Sequence, residues 1–223
     1  MINKIKGAIF DMDGTIVDSL GVWKYLWTEL GKKYKGTDEY CPPEEVDRAT
    51  RTKTLVQVME YIHSVLGMGE SPEELLEAVD KLIDDYYETD VVAKDGAVEF
   101  LEYCKKSGIK MCIASASAMK LIKASIRNCN LGDYFSEENI LSCADIGAGK
   151  DKPDIYIAAM EHLGTTKEDT CVFEDSPLAV ETASKLGLMT VGIYDQYNYG
   201  QEEMKKTATV YIENGETLMK LVK

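Results

Sequence analysis

The feature that most restricts the fold is a change of apolar period along the chain. From Asp95-Gly96 onward, stretches of helical period alternate with short runs rich in Val, Ile, Cys and Ala. This pattern predicts helix 97–106, strand 109–114, helix 118–129, strand 139–142, helix 153–163, strand 170–174, helix 177–186 and strand 189–193. Strands alternating in this way with helices lie parallel in one sheet, with helices on both faces. Thr209 to Ile212 would add an edge strand and Glu216 to Val222 a closing helix. Near the start, Ile5 to Phe10 is a short apolar run ending in Asp-Met-Asp-Gly-Thr, which reads as a buried strand delivering a loop at its carboxyl end. Open α/β sheets keep their sites at that end.

Between these parts, from Ser19 to about Val91, the pattern turns to long, charged helical segments with no convincing strand. Ser71 reads as an N-cap, with Pro72 at the first helical position and Glu73 and Glu74 in the first turn. The expected architecture is therefore α/β: a parallel-sheet core made of residues 1–16 and 93–223, interrupted by an all-helical insertion over 17–92. A chain of 223 residues that is 45% hydrophobic can bury such a core without staples. The six cysteines are scattered with no C-x-x-C pair, which disfavours a zinc site or disulfide framework. With 25 Lys and Arg against 39 Asp and Glu, the formal charge of −14 disfavours nucleic acid and anionic membranes as partners. A small phosphorylated substrate would need local positive charge against this background. Met1 to Lys6 lack a long apolar region, and no stretch approaches the roughly 18 apolar residues of a membrane span, so a cytoplasmic location is expected.

Asp11 and Asp13 flank Met12 directly after the first strand, so their carboxylates would project from one loop beside Gly14. Two carboxylates so close raise one pKa, and a divalent cation relieves their repulsion. A lone Asp-x-Asp is usually a turn or cap cluster. Here three further strand ends present polar residues at the same sheet edge: Ser115, Lys150 and the pair Glu174-Asp175. Singly, these read as a helix cap, a solvated lysine and a surface turn before Ser176. Together they point to one site.

In their order along the chain, DMDGT, IASAS, GKDKPDIY and FEDS resemble the four motifs of the haloacid dehalogenase superfamily. The resemblance covers nearly the whole chain and implies a Rossmann-like core. The helical insertion is similar to the C1 cap of the subgroup that includes phosphoglycolate-type phosphatases and β-phosphoglucomutase. The resemblance implies that Asp11 attacks phosphorus to form an aspartyl-phosphate, while Asp13 protonates the leaving oxygen and later activates water. It also implies Mg²⁺ held by the Asp11 carboxylate, the Asp13 backbone carbonyl and Asp175, with Glu174 direct or through water. Ser115 and the backbone N–H of Ala116, placed at a helix start, would bind the phosphoryl oxygens, and Lys150 would offset the shared negative charge. Lys152 is two residues away, and the residues alone leave open which lysine points inward. The family spacing to Pro153 and Asp154 favours Lys150.

Asp13 separates this chain from true dehalogenases, whose pattern lacks an acid there. The implied activity is hydrolysis of a small phosphomonoester such as a sugar phosphate. The alternative is a β-phosphoglucomutase-like mutase, although Trp23 stands where such mutases commonly have His, and Ala118 replaces their lysine. A non-catalytic phosphate-ligand binding protein is the third reading. In the cap, the run Arg48 to Thr54 is rich in positive charge and hydroxyls, which makes Arg48, Arg51, Thr52 and Lys53 candidates for substrate contact in a loop between helices. A solvated helix start capped by Thr52 or Thr54 explains the same run as well. Trp23 and Trp27 read as packing residues, and His63 and His162 are assigned no role. A monomer or weak homodimer is expected.

Overall fold

The computed structural model describes residues 2–50 and 55–222. Its strands are β1 (Gly7–Phe10), β2 (Val17–Asp18), β3 (Val92–Ala93), β4 (Lys110–Ser115), β5 (Ile140–Ser142), β6 (Thr170–Glu174), β7 (Met189–Ile193) and β8 (Val210–Ile212). Six of them form one parallel sheet in the order β5-β4-β1-β6-β7-β8. The α/β parallel sheet is the one the alternating pattern requires. Successive strands run outward from β1 first through β4 and β5, then through β6, β7 and β8 on its other side. The carboxyl end of β1 therefore sits where the strand order reverses, the place where α/β sheets open a crevice.

The chain divides into two compact units, Met1–Leu20 with Asp90–Lys223, and Gly21–Thr89. The sequence boundaries of 16/17 and 92/93 differ from this division because β2 and β3 pair antiparallel, Val17 with Ala93 and Asp18 with Val92. Two-residue strands carry no readable period. In the sheet unit, β1 is buried on both faces, as parallel strands are. Ile9 packs with Cys112, Val172, Ile155, Tyr156 and Leu163. Phe10, its neighbour on the opposite face, stacks on Phe173 with centroids 4.5 Å apart and meets Phe100 and Phe135 edge-on, each at 6.2 Å.

The helices of the sheet unit are α5 (Ala97–Lys106), α6 (Met119–Asn128), α7 (Cys143–Ile146), α8 (Asp154–Leu163), α9 (Pro177–Lys185) and α10 (Gln201–Thr207), numbered after four in the other unit. Two of these, α7 and α10, are absent from the sequence expectation. One is a single turn, capped by Ser142 Oγ accepting from the Ala144 N–H at 3.1 Å, and the other buries only Met204, so neither has an amphipathic period to read. The closing helix expected over 216–222 is a 3₁₀ turn, Leu218–Val222, with only Leu218 buried. Ser176 precedes α9 as expected, but its side chain makes no capping hydrogen bond.

The helical unit holds α1 (Val22–Lys35), α2 (Glu44–Thr50), α3 (Leu55–Leu66) and α4 (Pro72–Thr89). Ser71 caps α4, its Oγ accepting from the Glu74 N–H at 3.2 Å. Tyr34 donates to Glu74, tying α1 to α4, and Trp27 Nε1 donates to Asp47 Oδ1 at 2.7 Å, tying α1 to α2. Trp27 is buried and Trp23 half-buried. His63 donates from Nδ1 to the Met68 carbonyl at 2.9 Å. The segment Arg48 to Thr50, expected as loop, is the last turn of α2, whose first turn holds Glu44, Glu45 and Asp47 at the positive end of the helix. Arg51, Thr52, Lys53 and Thr54 lie outside the described residues.

Candidate active site

The site begins with the loop that β1 delivers. The Asp11 N–H donates to the Phe173 carbonyl at 2.9 Å, which carries the β1–β6 pairing one residue past the strand and fixes the backbone of Asp11 beside Glu174. Beyond it the chain folds back on itself, with Val17 N–H donating to the Met12 carbonyl at 3.1 Å and Gly14 N–H to the Val17 carbonyl at 2.9 Å. Gly14 sits at φ +73°, and a Cβ there would fall on the Asp175 carboxylate. Both the backbone conformation and the close approach therefore require glycine.

Asp11, Glu174 and Asp175 are all buried, and one oxygen from each lies within 4.8 Å of the others. Lys150 Nζ donates to Asp11 Oδ1 and, at 2.5 Å, to Glu174 Oε1, with its side chain 11% exposed. Lys152 is exposed. Glu174 also accepts from the Ser176 N–H at 3.0 Å. Asp175 accepts from Thr15 Oγ1 at 3.0 Å and from Asn198 Nδ2.

Asp13 is held separately. Ser19 Oγ donates to its Oδ1 and Ser117 Oγ to its Oδ2, each at 2.6 Å. Ser115, buried at the end of β4, accepts from the Ser117 N–H at 3.1 Å, which leaves its own hydroxyl proton to donate. Ala116 is exposed and lies three residues before α6 begins, in the bend after β4 and not at the helix start. Arg48 is exposed on α2, where its Nη2 donates to Glu44 Oε1 at 2.9 Å.

Burial dominates the electrostatics. Desolvation pushes the Asp11 carboxyl well above its ordinary range, with Lys150 opposing and Glu174, Asp175 and Asp13 reinforcing. Desolvation and then Glu174 push Asp175 up to about 7. Burial works against the charge of Lys150, but Asp11 and Glu174 outweigh it and hold the ammonium protonated. Three carboxyl groups share the Lys150 ammonium in a desolvated cluster, so ionising all three leaves two negative charges without a cation in contact. A donor set made only of oxygens, with that charge deficit, fits a hard divalent cation.

The strand-end pattern did not identify Thr15, Ser19, Ser117 and Asn198. Thr15 and Ser117 lie inside the quoted motifs, so their presence was visible but their partners were not. Ser19 and Asn198 carried no signal, since hydroxyl and amide residues are common in loops and only convergence in space gives them a role.

The chain matches the family described as haloacid dehalogenase-like hydrolase over residues 5–187. It is similar to hexitol phosphatase A of Escherichia coli (strain K12), 24% identical over 192 residues that cover 85% of this chain and 83% of the relative. It is also similar to the phosphorylated carbohydrates phosphatase of Thermotoga maritima, 24% identical over 216 residues, 96% of this chain and 97% of the relative. The crystal structure of a HAD hydrolase, family IA, variant 3, from Entamoeba histolytica has the same fold, with a TM-score of 0.76 at 24% identity and coverage of 98% of each chain. A match across most of the chain, on a sheet whose strand ends carry these carboxylates, makes this protein a member of the haloacid dehalogenase-like hydrolase family.

Proposed function

We propose that this protein is a Mg²⁺-dependent phosphatase of a small phosphomonoester such as a sugar phosphate, acting through an aspartyl-phosphate on Asp11. The observation that carries the proposal is the buried Asp11 carboxylate, bound by Lys150 and grouped with Glu174 and Asp175 at the carboxyl end of β1. The similarity to relatives named as phosphatases of hexitol and carbohydrate phosphates supports the substrate class. Asp11, Glu174, Asp175 and the Asp13 backbone carbonyl would hold the cation, which supplies positive charge against the phosphoryl oxygens.

The chain's own residues account for the bonds that change. An Asp11 oxygen attacks phosphorus, and the ester P–O bond breaks as the bond to Asp11 forms. Asp13, oriented by Ser19 and Ser117, gives its proton to the leaving alcohol oxygen. Water then attacks phosphorus and yields a proton to Asp13, and the bond to Asp11 breaks to release phosphate. Ser115 Oγ, the Ala116 N–H and Lys150 bind the phosphoryl oxygens.

The test is phosphate release from p-nitrophenyl phosphate and a panel of hexitol, sugar and other phosphate esters, with and without Mg²⁺. Release that requires Mg²⁺ is expected, with Asp11→Asn abolishing it and Lys150→Met lowering kcat about 10²–10³-fold. Turnover that survives Asp11→Asn would overturn the mechanism. Conversion of β-glucose 1-phosphate to glucose 6-phosphate without net release would replace the hydrolase by the mutase.

A further inference from the structure

Asp175 is gripped at both carboxylate oxygens by neutral donors. Thr15 Oγ1 donates to Oδ1 at 3.0 Å, while Asn198 Nδ2 donates to Oδ2 and also to the Asp175 backbone carbonyl at 3.1 Å. Both partners of Asn198 are acceptors, which fixes its amide with nitrogen toward Asp175. Asn198 lies 23 positions further along the chain, in the loop between β7 and α10.

That loop is tied down independently of Asp175. Lys94 Nζ pairs with Asp195 Oδ2 at 2.8 Å, the Asp195 side chain being 3% exposed. Asp195 Oδ1 accepts from the Tyr197 N–H at 2.9 Å, and the Asp195 carbonyl from the Asn198 N–H at 3.2 Å and Gln201 Nε2 at 3.0 Å. Tyr211 in turn donates to Gln201 Oε1 at 2.6 Å. Asn198 is therefore presented from a braced loop. The choice of an amide matters. A lysine or arginine here would orient the carboxylate but neutralise it, whereas an amide fixes the rotamer and leaves the whole negative charge for a cation.

We propose that Asn198 is a positioning residue that locks the Asp175 carboxylate in the orientation a divalent cation requires. This rests on the metal-dependent reading of the site given above. Removing the amide leaves Asp175 held only at Oδ1 by Thr15, so its carboxylate can turn about that bond, and weakens cation binding without touching Asp11, Asp13 or Lys150.

The experiment titrates Mg²⁺ calorimetrically into metal-free wild type, Asn198→Ala and Asn198→Ser, with circular dichroism as the folding control and p-nitrophenyl phosphate turnover alongside. The Mg²⁺ Kd and the Mg²⁺ half-saturation of turnover are expected to rise about 10- to 100-fold in both variants. Raising Mg²⁺ to saturation should restore most of the turnover that both variants lose at low Mg²⁺, with the substrate KM shifting less than the Mg²⁺ half-saturation. A wild-type Kd in the folded variants overturns the role of Asn198 and leaves the metal site standing. Loss of the fold in both variants overturns it too, by making Asn198 a structural residue. A flat titration of the wild type instead removes the metal-dependent reading itself.

Discussion

At the scale of single residues, the site combines buried acids with few compensating charges, and this makes stability depend on pH. Asp175 has its pKa raised from 3.8 to about 7 by burial and by Glu174. The folded state therefore binds this proton more tightly than the unfolded chain. The contribution is fully present below the unfolded pKa and is lost as pH rises through about 7. A cation on the same carboxylate competes with that proton. Thermal melts with and without Mg²⁺ should show a larger Mg²⁺ stabilisation at about pH 8 than at about pH 6, and Asp175→Asn should remove most of the difference. Equal stabilisation at both pH values would mean that Asp175 does not take part in binding the cation. Cysteine behaves differently: burial pushes the Cys104 and Cys112 thiols up to about 12, so both stay protonated and pack as small apolar side chains.

At the scale of elements, β1 is the member on which the others depend. Its four residues are fully buried, it is hydrogen-bonded on both sides, and it hands the chain directly to Asp11. Phe10 closes an aromatic cluster with Phe100, Phe135 and Phe173. Phe10→Ala is expected to cost about 3–5 kcal/mol, read as a lower urea midpoint at unchanged slope. A loss below about 1 kcal/mol would show that the cluster relaxes around the gap. Strong elements such as β1, β6 and β7 were legible because apolar runs of strand length report burial directly. The weak ones were not: β2 and β3 are held by each other, α10 by Met204, and α2 by its acidic first turn, none of which gives a period.

At the scale of the whole molecule, an excess of 14 negative charges works against compactness. Screening should therefore stabilise the fold: Tm in metal-free buffer is expected to rise by a few degrees between about 20 mM and about 200 mM NaCl. A falling Tm would mean that paired charges such as Lys94–Asp195 outweigh the net repulsion. Among the described residues, no helix is long and apolar enough to cross a membrane. The formal charge also makes the basic groups at the site more telling, since Lys150 and Lys94 are each mostly buried against acids instead of lying on the surface.

The sequence by itself determined the parallel α/β sheet, the helical interruption, and the strand ends from which Asp11, Ser115 and Glu174-Asp175 emerge. Those depend on period and local turn chemistry, which neighbouring residues set among themselves. The tertiary structure alone decided that Lys150, the lysine the family spacing favours, bridges Asp11 and Glu174, that Ser19 and Ser117 share Asp13, and that Thr15 and Asn198 share Asp175. Each of these joins loops from different strands. Such partnerships depend on where the sheet brings its edges together, and no local pattern encodes that distance.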